Sequence, residues 1–352
     1  MNTRDVFEKE ELVRWMPVVA ARNGADDGAV YIRPSPGRYA SIKVRLLNKK
    51  PSSSSDETIV EWTLLVDTAC TGLVLSPNAV RRANDRRPDT IRIANNAGTM
   101  TMAGSSSLGT TSVARWDERD AKMTVGGVEI DGNNVAACQD IGALPAGLDG
   151  ILGLSFLGEF ACVDFDFVND ELRLDREHRN PPRGPSYVDD GAAARGALSL
   201  TRLRVYAANV ILDGRGPVRM LVDTGAASTF LNRKGVADMR LVVMLASYKI
   251  EPIRGEVIGA MGADNLALRL THRYQLKRRW NLVAENTAVA DFCAGIELKE
   301  EGVRNIDIGD LPVLEALGDV GGILGADLMM MCDVVRFSGL NTGSPRMILM
   351  QH

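Results

Sequence analysis

A repeated motif constrains the fold of this chain more than any other feature of its sequence. Residues 64–75 read LLVDTACTGLVL and residues 221–231 read LVDTGAASTFL, so Asp-Thr and small residues twice lie between two apolar runs. The two Asp-Thr pairs are 156 residues apart. A second pair of similar segments follows in the same order: residues 140–157 read DIGALPAGLDGILGLSFL and residues 307–328 read DIGDLPVLEALGDVGGILGADL. Two unlike motifs that recur in one order indicate a duplicated unit.

The segments around the repeats have the pattern of short β-strands. ASIKVRLLN and TIVEWTLLV precede the first Asp-Thr, and LRVYAANVILDG and PVRMLV precede the second. Residues 213–216, Asp-Gly-Arg-Gly, predict a hairpin turn between the latter two. Gly-containing segments at 98–111 and 254–268 predict a further hairpin in each copy, while helical periodicity is confined to short pieces such as 155–161 and 326–332. The sequence therefore predicts a mostly β protein with few helices.

The domain organisation is predicted from the limits of the two copies. The stretch that ends at residue 197 is rich in proline, glycine and charge and lacks apolar periodicity, which is typical of a linker. We predict an N-terminal arm or extra strand over residues 1–40 and an N-terminal lobe over 41–178. A linker over 179–197 and a C-terminal lobe over 198–352 complete the chain.

Composition and charge exclude several classes of protein. Of 352 residues, 45% are hydrophobic and 24% are charged, which is typical of a globular protein. The formal net charge is −4 and no aromatic platform accompanies the basic runs, so we expect no nucleic-acid partner. No apolar run is long enough for a membrane span. The acidic start of the chain is unlike a secretory signal, so we expect a cytoplasmic protein, or an organellar one after removal of a transit peptide.

Cysteine and histidine patterns give no sign of a metal site. The five cysteines include no C-x-x-C pair, which argues against a structural zinc site and suits a reducing compartment. The three histidines have no metal-binding spacing. We therefore expect that the protein needs no metal and no organic cofactor.

Asp67 and Asp223, the aspartates of the repeated motif, are the candidate catalytic residues. A carboxylate at the end of an apolar strand is costly to bury unless it is paired or hydrogen-bonded, yet the sequence places one there twice. The small residues that follow allow a tight turn whose amides can face the carboxylate. If the copies pack about a pseudo-twofold axis, the two carboxyl groups meet and share one proton. Such a dyad can activate a water molecule and protonate a leaving group.

On these residues the chain resembles the aspartic proteases, and most of all their retropepsin-like branch. The resemblance lies in Leu-Val-Asp-Thr-Gly-Ala at 221–226 followed by Ile-Leu-Gly at 323–325. The first copy is similar through Leu-Val-Asp-Thr at 65–68 and Ile-Leu-Gly at 151–153. The resemblance implies a bilobal aspartic-protease fold made of two retropepsin-like β lobes related by a pseudo-twofold. Because both lobes lie in one chain, it implies a monomer that does not dimerise for activity.

The resemblance also implies the roles of the residues around the dyad. Thr68 and Thr224 would interlock across the axis, and the two Ile-Leu-Gly segments would pack beneath the Asp turns. A Gly-containing hairpin would close over a peptide or protein substrate in extended conformation, which would pair with hairpin edges. The residues that would support the site in this way are Thr68, Ala69, Thr224, Gly225, Ala226, Gly153 and Gly325. The first copy departs from the family pattern, because Ala69 stands where Gly is usual and Cys70 follows it.

Two functions are compatible with the sequence. The first is an aspartic endopeptidase in which water is activated between the two carboxyl groups. The second is a non-catalytic peptide-binding or scaffold protein that retains the protease fold, because Ala69 is unusual and the segment 98–111 lacks an aromatic flap residue. Carboxyl groups within hydrogen-bond reach of each other would favour the enzyme, whereas splayed or plugged carboxylates would favour the scaffold.

Overall fold

A computed structural model describes the following parts of the chain: residues 22–23, 30–32, 40–49, 58–94, 100–103, 108–116, 121–130, 135–138, 144, 147–176, 192–241, 250–252, 258–261, 267–283, 295–298, 304–310, 314 and 317–351. Most of the predicted arm and the linker residues 179–191 lie outside the described residues.

Most of the described residues belong to β-strands, which confirms the mostly β class. The strands of the first half of the chain are β1 (Arg22–Asn23), β2 (Val30–Ile32), β3 (Ser41–Asn48), β4 (Thr58–Val66), β5 (Leu73–Leu75), β6 (Ile91–Ala94), β7 (Met100–Ala103), β8 (Leu108–Trp116), β9 (Ala121–Val125), β10 (Val128–Glu129), β11 (Val135–Cys138), β12 (Gly150–Leu152), β13 (Cys162–Asp166) and β14 (Glu171–Asp175). The strands of the second half are β15 (Ala192–Ala197), β16 (Ser199–Leu200), β17 (Tyr206–Leu212), β18 (Arg215–Val222), β19 (Phe230–Leu231), β20 (Ile250–Pro252), β21 (Ile258–Met261), β22 (Ala267–Leu276), β23 (Arg279–Leu282), β24 (Ile296–Glu297), β25 (Arg304–Gly309), β26 (Gly322–Leu324), β27 (Val334–Ser338) and β28 (Arg346–Met350). The described helices are short: α1 (Pro77–Arg86), α2 (Leu154–Leu157), α3 (Arg233–Asp238) and α4 (Ala326–Met329).

The first lobe is built on one large sheet. Its described strands have the order β10-β9-β3-β4-β12-β5-β11-β8-β6, and β7 pairs with β8. Strand β12 runs parallel to β4 and antiparallel to β5, so the Ile-Leu-Gly segment lies between the strands that enter and leave the first Asp turn. Strands β7 and β8 are antiparallel, which confirms the hairpin predicted at 98–111 in its described part.

The second lobe repeats this arrangement around the second Asp turn. The described strands of its sheet have the order β20-β22-β25-β19-β26-β18-β17-β23-β24, with β16 on β17 and β21 on β22. Strand β26 is parallel to β18 and antiparallel to β19, as β12 is to β4 and β5. Hairpins β17–β18 and β21–β22 are present where the sequence predicts them. The two Asp-Thr motifs therefore occupy corresponding places in two sheets of matching central topology.

A third sheet, here called the shared sheet, joins the two lobes. Its described strands have the order β1-β2-β14-β13-β27-β28-β15, and β13 pairs directly with β27 across the lobe boundary. One face adds Phe165 and Phe337 to the hydrophobic core, while the other carries a buried ion pair in which Arg336 donates two hydrogen bonds of 2.8 Å to Asp164. Strand β2, from the N-terminal region, pairs antiparallel with β14. Residues 192–197, which the sequence places in the linker, form β15 because they pair with β28.

The hydrophobic core extends through both lobes. Trp62 and Phe156 are buried in the first lobe, and Tyr274 and Trp280 are buried in the second. The two Asp turns lie where strands end at this core, which is why apolar runs flank each motif. No helix in the described ranges has the length and apolar character needed to cross a bilayer.

Candidate active site

The first turn holds Asp67 by backbone hydrogen bonds. The three residues before it, at the end of β4, are buried, and the chain then turns sharply into β5. The Asp67 amide donates to the Leu152 carbonyl oxygen at 3.0 Å, which ties the start of the turn to the Ile-Leu-Gly segment. The Ala69 amide donates to Asp67 Oδ1 at 2.6 Å. The carboxylate is therefore aimed by its own turn and remains only partly buried.

The second turn holds Asp223 in a similar way. The Asp223 amide donates to the Leu324 carbonyl oxygen at 3.0 Å. Asp223 Oδ1 accepts from the amides of Gly225 at 2.9 Å and Ala226 at 2.8 Å. Two such donors stabilise the ionised form of a carboxyl group and fix its orientation.

Thr68 and Thr224 connect the two turns by reciprocal hydrogen bonds. The Thr68 hydroxyl donates to the Val222 carbonyl oxygen, and the Thr224 hydroxyl donates to that of Val66, each at 2.8 Å. Each hydroxyl also accepts from the backbone amide of the other threonine, at 3.1 and 3.2 Å. Both threonines are buried. The interlock implied by the family resemblance is thus present, and it fixes one aspartate turn against the other.

The carboxyl groups of Asp67 and Asp223 lie within hydrogen-bond reach of each other. Burial raises the pKa of Asp67, against its amide donors and the hydrogen bond from Asp223. Burial raises the pKa of Asp223 well above the ordinary value, and the negative charge of Asp67 raises it further. Since two close carboxylates resist a double negative charge, the two carboxyl groups share one proton.

Gly153 and Gly325 pack closely against the two turns. A Cβ on Gly153 would collide with the carbonyl oxygens of Cys70 and Gly72. A Cβ on Gly325 would collide with the carbonyl group of Ser228. Only glycine lets the Ile-Leu-Gly segments approach the turns this closely, so these residues support the site through packing.

Gly225 and Ala69 occupy corresponding positions but differ in their surroundings. A Cβ on Gly225 would lie 2.7 Å from Asp67 Cγ and 2.8 Å from Asp67 Oδ2, which no side chain could tolerate without displacing the carboxylate. The methyl group of Ala69 instead packs on an apolar cluster of the second lobe that includes Leu221 and Phe230. The structure therefore accommodates alanine at 69 while the two carboxyl groups stay in contact.

The thiol of Cys70 lies beside the dyad without joining it. Its Sγ donates to the Gly72 carbonyl oxygen at 3.3 Å. Burial, together with the negative charge of Asp67, raises the pKa of the thiol to about 12. Cys70 is therefore a protonated thiol and not a nucleophile.

Thr229 and Asp327 are polar residues of the second lobe that the sequence analysis missed. The Thr229 hydroxyl donates to Asp327 Oδ1 at 2.6 Å and accepts from the Gly325 amide at 3.0 Å. Burial raises the pKa of Asp327, whereas hydrogen bonds from Thr229 and from the Leu328 amide and the charge of Arg304 lower it. The repeat hid this pair, because Leu73 and Ser155 stand at the corresponding positions of the first copy.

No group of three or more histidine, cysteine, aspartate or glutamate side chains suited to a metal ion occurs in the described part of the chain. In those ranges the dyad carboxyl groups accept hydrogen bonds from backbone amides. The arrangement can hold one proton between two carboxyl groups, and a water molecule hydrogen-bonded to both would be polarised by them.

Comparison with known proteins identifies the fold class of the chain. No model of a known protein family matches the chain, and no curated protein is similar to it in sequence. Among solved structures it is similar to the aspartic proteinase from Irpex lacteus, with a TM-score of 0.50 and 13% sequence identity. The similarity covers 92% of this chain and 97% of that one. At this identity the likeness concerns the fold alone, and the chain has the bilobal, mostly β fold of the aspartic proteinases.

Proposed function

We propose that this protein is an aspartic endopeptidase in which Asp67 and Asp223 form the catalytic dyad. One observation carries the proposal: the two carboxyl groups lie in hydrogen-bond contact with each other. The reciprocal bonds of Thr68 and Thr224 hold them in this relation. Such a pair supplies a base and an acid at the same point, as hydrolysis of an amide requires.

The chemistry divides between the two carboxyl groups. In this proposal Asp67 is the ionised partner and takes a proton from water as the water oxygen attacks the peptide carbonyl carbon. Asp223 donates its proton to the carbonyl oxygen, which gives a neutral tetrahedral diol. Asp67 then passes its proton to the amide nitrogen, the C–N bond breaks, and a hydroxyl proton of the diol returns to Asp223. One water molecule is consumed, and the dyad returns to its singly protonated form.

The substrate we propose is a peptide or protein segment in extended conformation. Hairpins β7–β8 and β21–β22 offer strand edges for pairing with such a segment. We further propose a retropepsin-like enzyme that arose by internal duplication, with lobes at 41–178 and 198–352. In this proposal it works as a monomer in the cytoplasm, or in an organelle after removal of a transit peptide.

Ala69 is the observation that favours the alternative, a peptide-binding protein without turnover. Against it stands the environment of the Ala69 methyl group, which packs on the second-lobe cluster of Leu221 and Phe230. Contact between the carboxyl groups also supports the enzyme, because a plugged dyad would separate them. Turnover itself distinguishes the two functions.

The proposal is tested by incubating the protein with a diverse peptide library and identifying new termini by mass spectrometry. We expect cleavage that stops when a statine-type transition-state inhibitor is added. A double variant, Asp67→Asn with Asp223→Asn, controls for contaminating proteases. Peptide binding by the parent without any cleavage between about pH 3 and 8, a range that brackets ordinary and raised carboxyl pKa values, would support the peptide-binding alternative.

A further inference from the structure

We propose that Thr229 and Asp327, here called the positioning pair, hold the Asp223 turn in its catalytic geometry. The first lobe has no counterpart of this pair. The inference rests on the proposed function, because it concerns how one of the two carboxyl groups is aimed. Neither residue contacts the dyad in the structure, so both act through the backbone of α4 and its preceding loop.

The positioning pair provides a correctly oriented hydrogen-bond acceptor for the buried Gly325 amide. Thr229 is fully buried, and its hydroxyl donates to Asp327 Oδ1 at 2.6 Å. A hydroxyl has one hydrogen, so this bond leaves a lone pair for the Gly325 amide, which donates to it at 3.0 Å. The Leu328 amide donates to the same Asp327 oxygen at 2.9 Å. Asp327 thus fixes the rotation of the Thr229 hydroxyl and, with it, the position of Gly325.

The backbone on both sides of Gly325 holds the Asp223 turn. Before it, the Leu324 carbonyl oxygen accepts from the Asp223 amide at 3.0 Å. After it, the Ala326 amide donates to the Ala226 carbonyl oxygen at 2.8 Å. Ala226 is one of the two donors to the Asp223 carboxylate. A shift of Gly325 therefore moves both ends of the turn and the donors that aim the carboxylate.

The first lobe fixes the corresponding segment with backbone groups alone. The Gly153 amide donates to the Gly72 carbonyl oxygen at 3.1 Å, and the Leu154 amide donates to that of Cys70 at 2.7 Å. At the position of Thr229 stands Leu73, which is buried, and at the position of Asp327 stands Ser155, whose side chain is exposed. Changes to the positioning pair should therefore disturb the amide donors of the Asp223 turn and leave the Ala69 donor of the Asp67 turn in place.

Kinetics of matched variants test the inference. Thr229→Val keeps the shape but removes the acceptor of the Gly325 amide, and Asp327→Ala frees the hydroxyl. We expect each to lower kcat about 10- to 100-fold, the usual effect of misplacing a reacting group, with KM changed less than about twofold. Asp327→Asn and Thr229→Ser keep the hydrogen bonds and should retain most of the parent kcat. Ser155→Ala is the matched control from the first lobe and should have no effect.

Amide hydrogen exchange gives a readout that does not depend on activity. In Thr229→Val or Asp327→Ala we expect faster exchange at Gly225 and Ala226, with the parent rate at Ala69. Unchanged exchange at Gly225 and Ala226 in a folded variant would overturn the inference, even if the melting temperature falls. Equal losses of kcat in Asp327→Asn and Asp327→Ala would overturn it as well. If the parent cleaves no peptide, the proposed function fails, and exchange alone decides on the positioning pair. Should Thr229→Val not fold, Asp327→Ala carries both measurements.

Discussion

The turns that carry Asp67 and Asp223 occupy corresponding places in two similar sheets, yet they are built differently. In the first turn, alanine at 69 packs against the other lobe, and the supporting Ile-Leu-Gly segment is held by backbone hydrogen bonds. In the second turn, glycine at 225 leaves room for the partner carboxylate, and a threonine hydroxyl supports the segment. The threonine interlock between the turns is the same in both directions.

This difference separates two kinds of constraint. Groups that act between the lobes, such as Thr68 and Thr224, must match each other, and both are threonine. Groups that support one turn within its own lobe need only hold the backbone in the same position. The Gly72 carbonyl oxygen therefore accepts from the Gly153 amide in the first lobe, where the Thr229 hydroxyl accepts from the Gly325 amide in the second. The two carboxyl groups need not be equivalent either, because a pair that shares one proton has one protonated and one ionised member.

The largest expected effect comes from removing either carboxylate, and it tests whether both turns are needed for peptide hydrolysis. Asp67→Asn and Asp223→Asn should each lower kcat/KM by at least about 10⁴-fold, because an amide can neither take nor give the proton. The melting temperature should not fall, since the amide keeps the shape and loses a group that is costly to bury. Asp85→Asn, at an exposed site on α1, is the control. Retained activity in either dyad variant would mean that its turn is not part of the site.

The second prediction exchanges glycine and alanine between the turns. Gly225→Ala puts a methyl group within 2.8 Å of the Asp67 carboxylate and should lower kcat about 100-fold, the scale expected when a reacting group is displaced. Ala69→Gly should keep or raise the parent activity, because it only removes a methyl group from an apolar contact. The two variants are compared in steady-state kinetics at equal active-site concentration. A large loss of kcat in Ala69→Gly together with full activity in Gly225→Ala would contradict the prediction, because it would mean that the first turn needs its side chain and the second turn tolerates one.

The third prediction concerns Thr68 and Thr224, which form the same hydrogen bonds in the two turns. Thr68→Val and Thr224→Val each leave a buried carbonyl oxygen and a buried amide without a partner, which should cost about 1–3 kcal/mol of unfolding free energy. Because the two hydroxyl groups share one network, the double variant should lose less than the sum. Urea denaturation measures the unfolding free energy of the two single variants and the double variant, with Thr71→Val, at an exposed site, as the control. Strictly additive losses would show that the two turns are not coupled.

The smallest expected effect is a shift of the pH profile. Both dyad pKa values are raised in the fold, so the singly protonated form persists to higher pH than two free carboxyl groups would allow. The profile of kcat/KM should accordingly be bell-shaped with a mildly acidic optimum. Ala226→Ser adds a hydroxyl that can donate to ionised Asp223, which lowers its pKa and moves the alkaline limb to lower pH. Ala237→Ser, exposed on α3, controls for the added hydroxyl, and an unmoved or rising alkaline limb would contradict the argument.

The central features of the site were predictable because they repeat. The two Asp-Thr motifs and the two Ile-Leu-Gly segments stand out by comparison of the sequence with itself, and alternating strand patterns give the mostly β class. Hairpins β7–β8, β17–β18 and β21–β22 were marked by local glycines. Each of these signals lies within a few residues of the structure that it predicts.

Features that depend on distant or unrepeated contacts could not be predicted in this way. Thr229 and Asp327 meet across 98 residues, and the repeat gives no hint of them because their counterparts are leucine and serine. The shared sheet depends on the pairing of Asp164 with Arg336, 172 residues away. Residues 192–197 have a composition typical of a linker, and only the edge offered by β28 makes them a strand.

The shared sheet also sets an order of assembly during synthesis. Strand β13 lies in the first half of the chain, but its direct neighbour β27 leaves the ribosome only after both Asp turns have been made. Until then one edge of β13 has no partner, and the lobes are not joined through this sheet. A nascent chain would thus hold both aspartates before the framework that joins the lobes is complete. Completion of that framework depends on a strand that is translated after both aspartates, which separates synthesis of the site residues in time from assembly of the two-lobed fold.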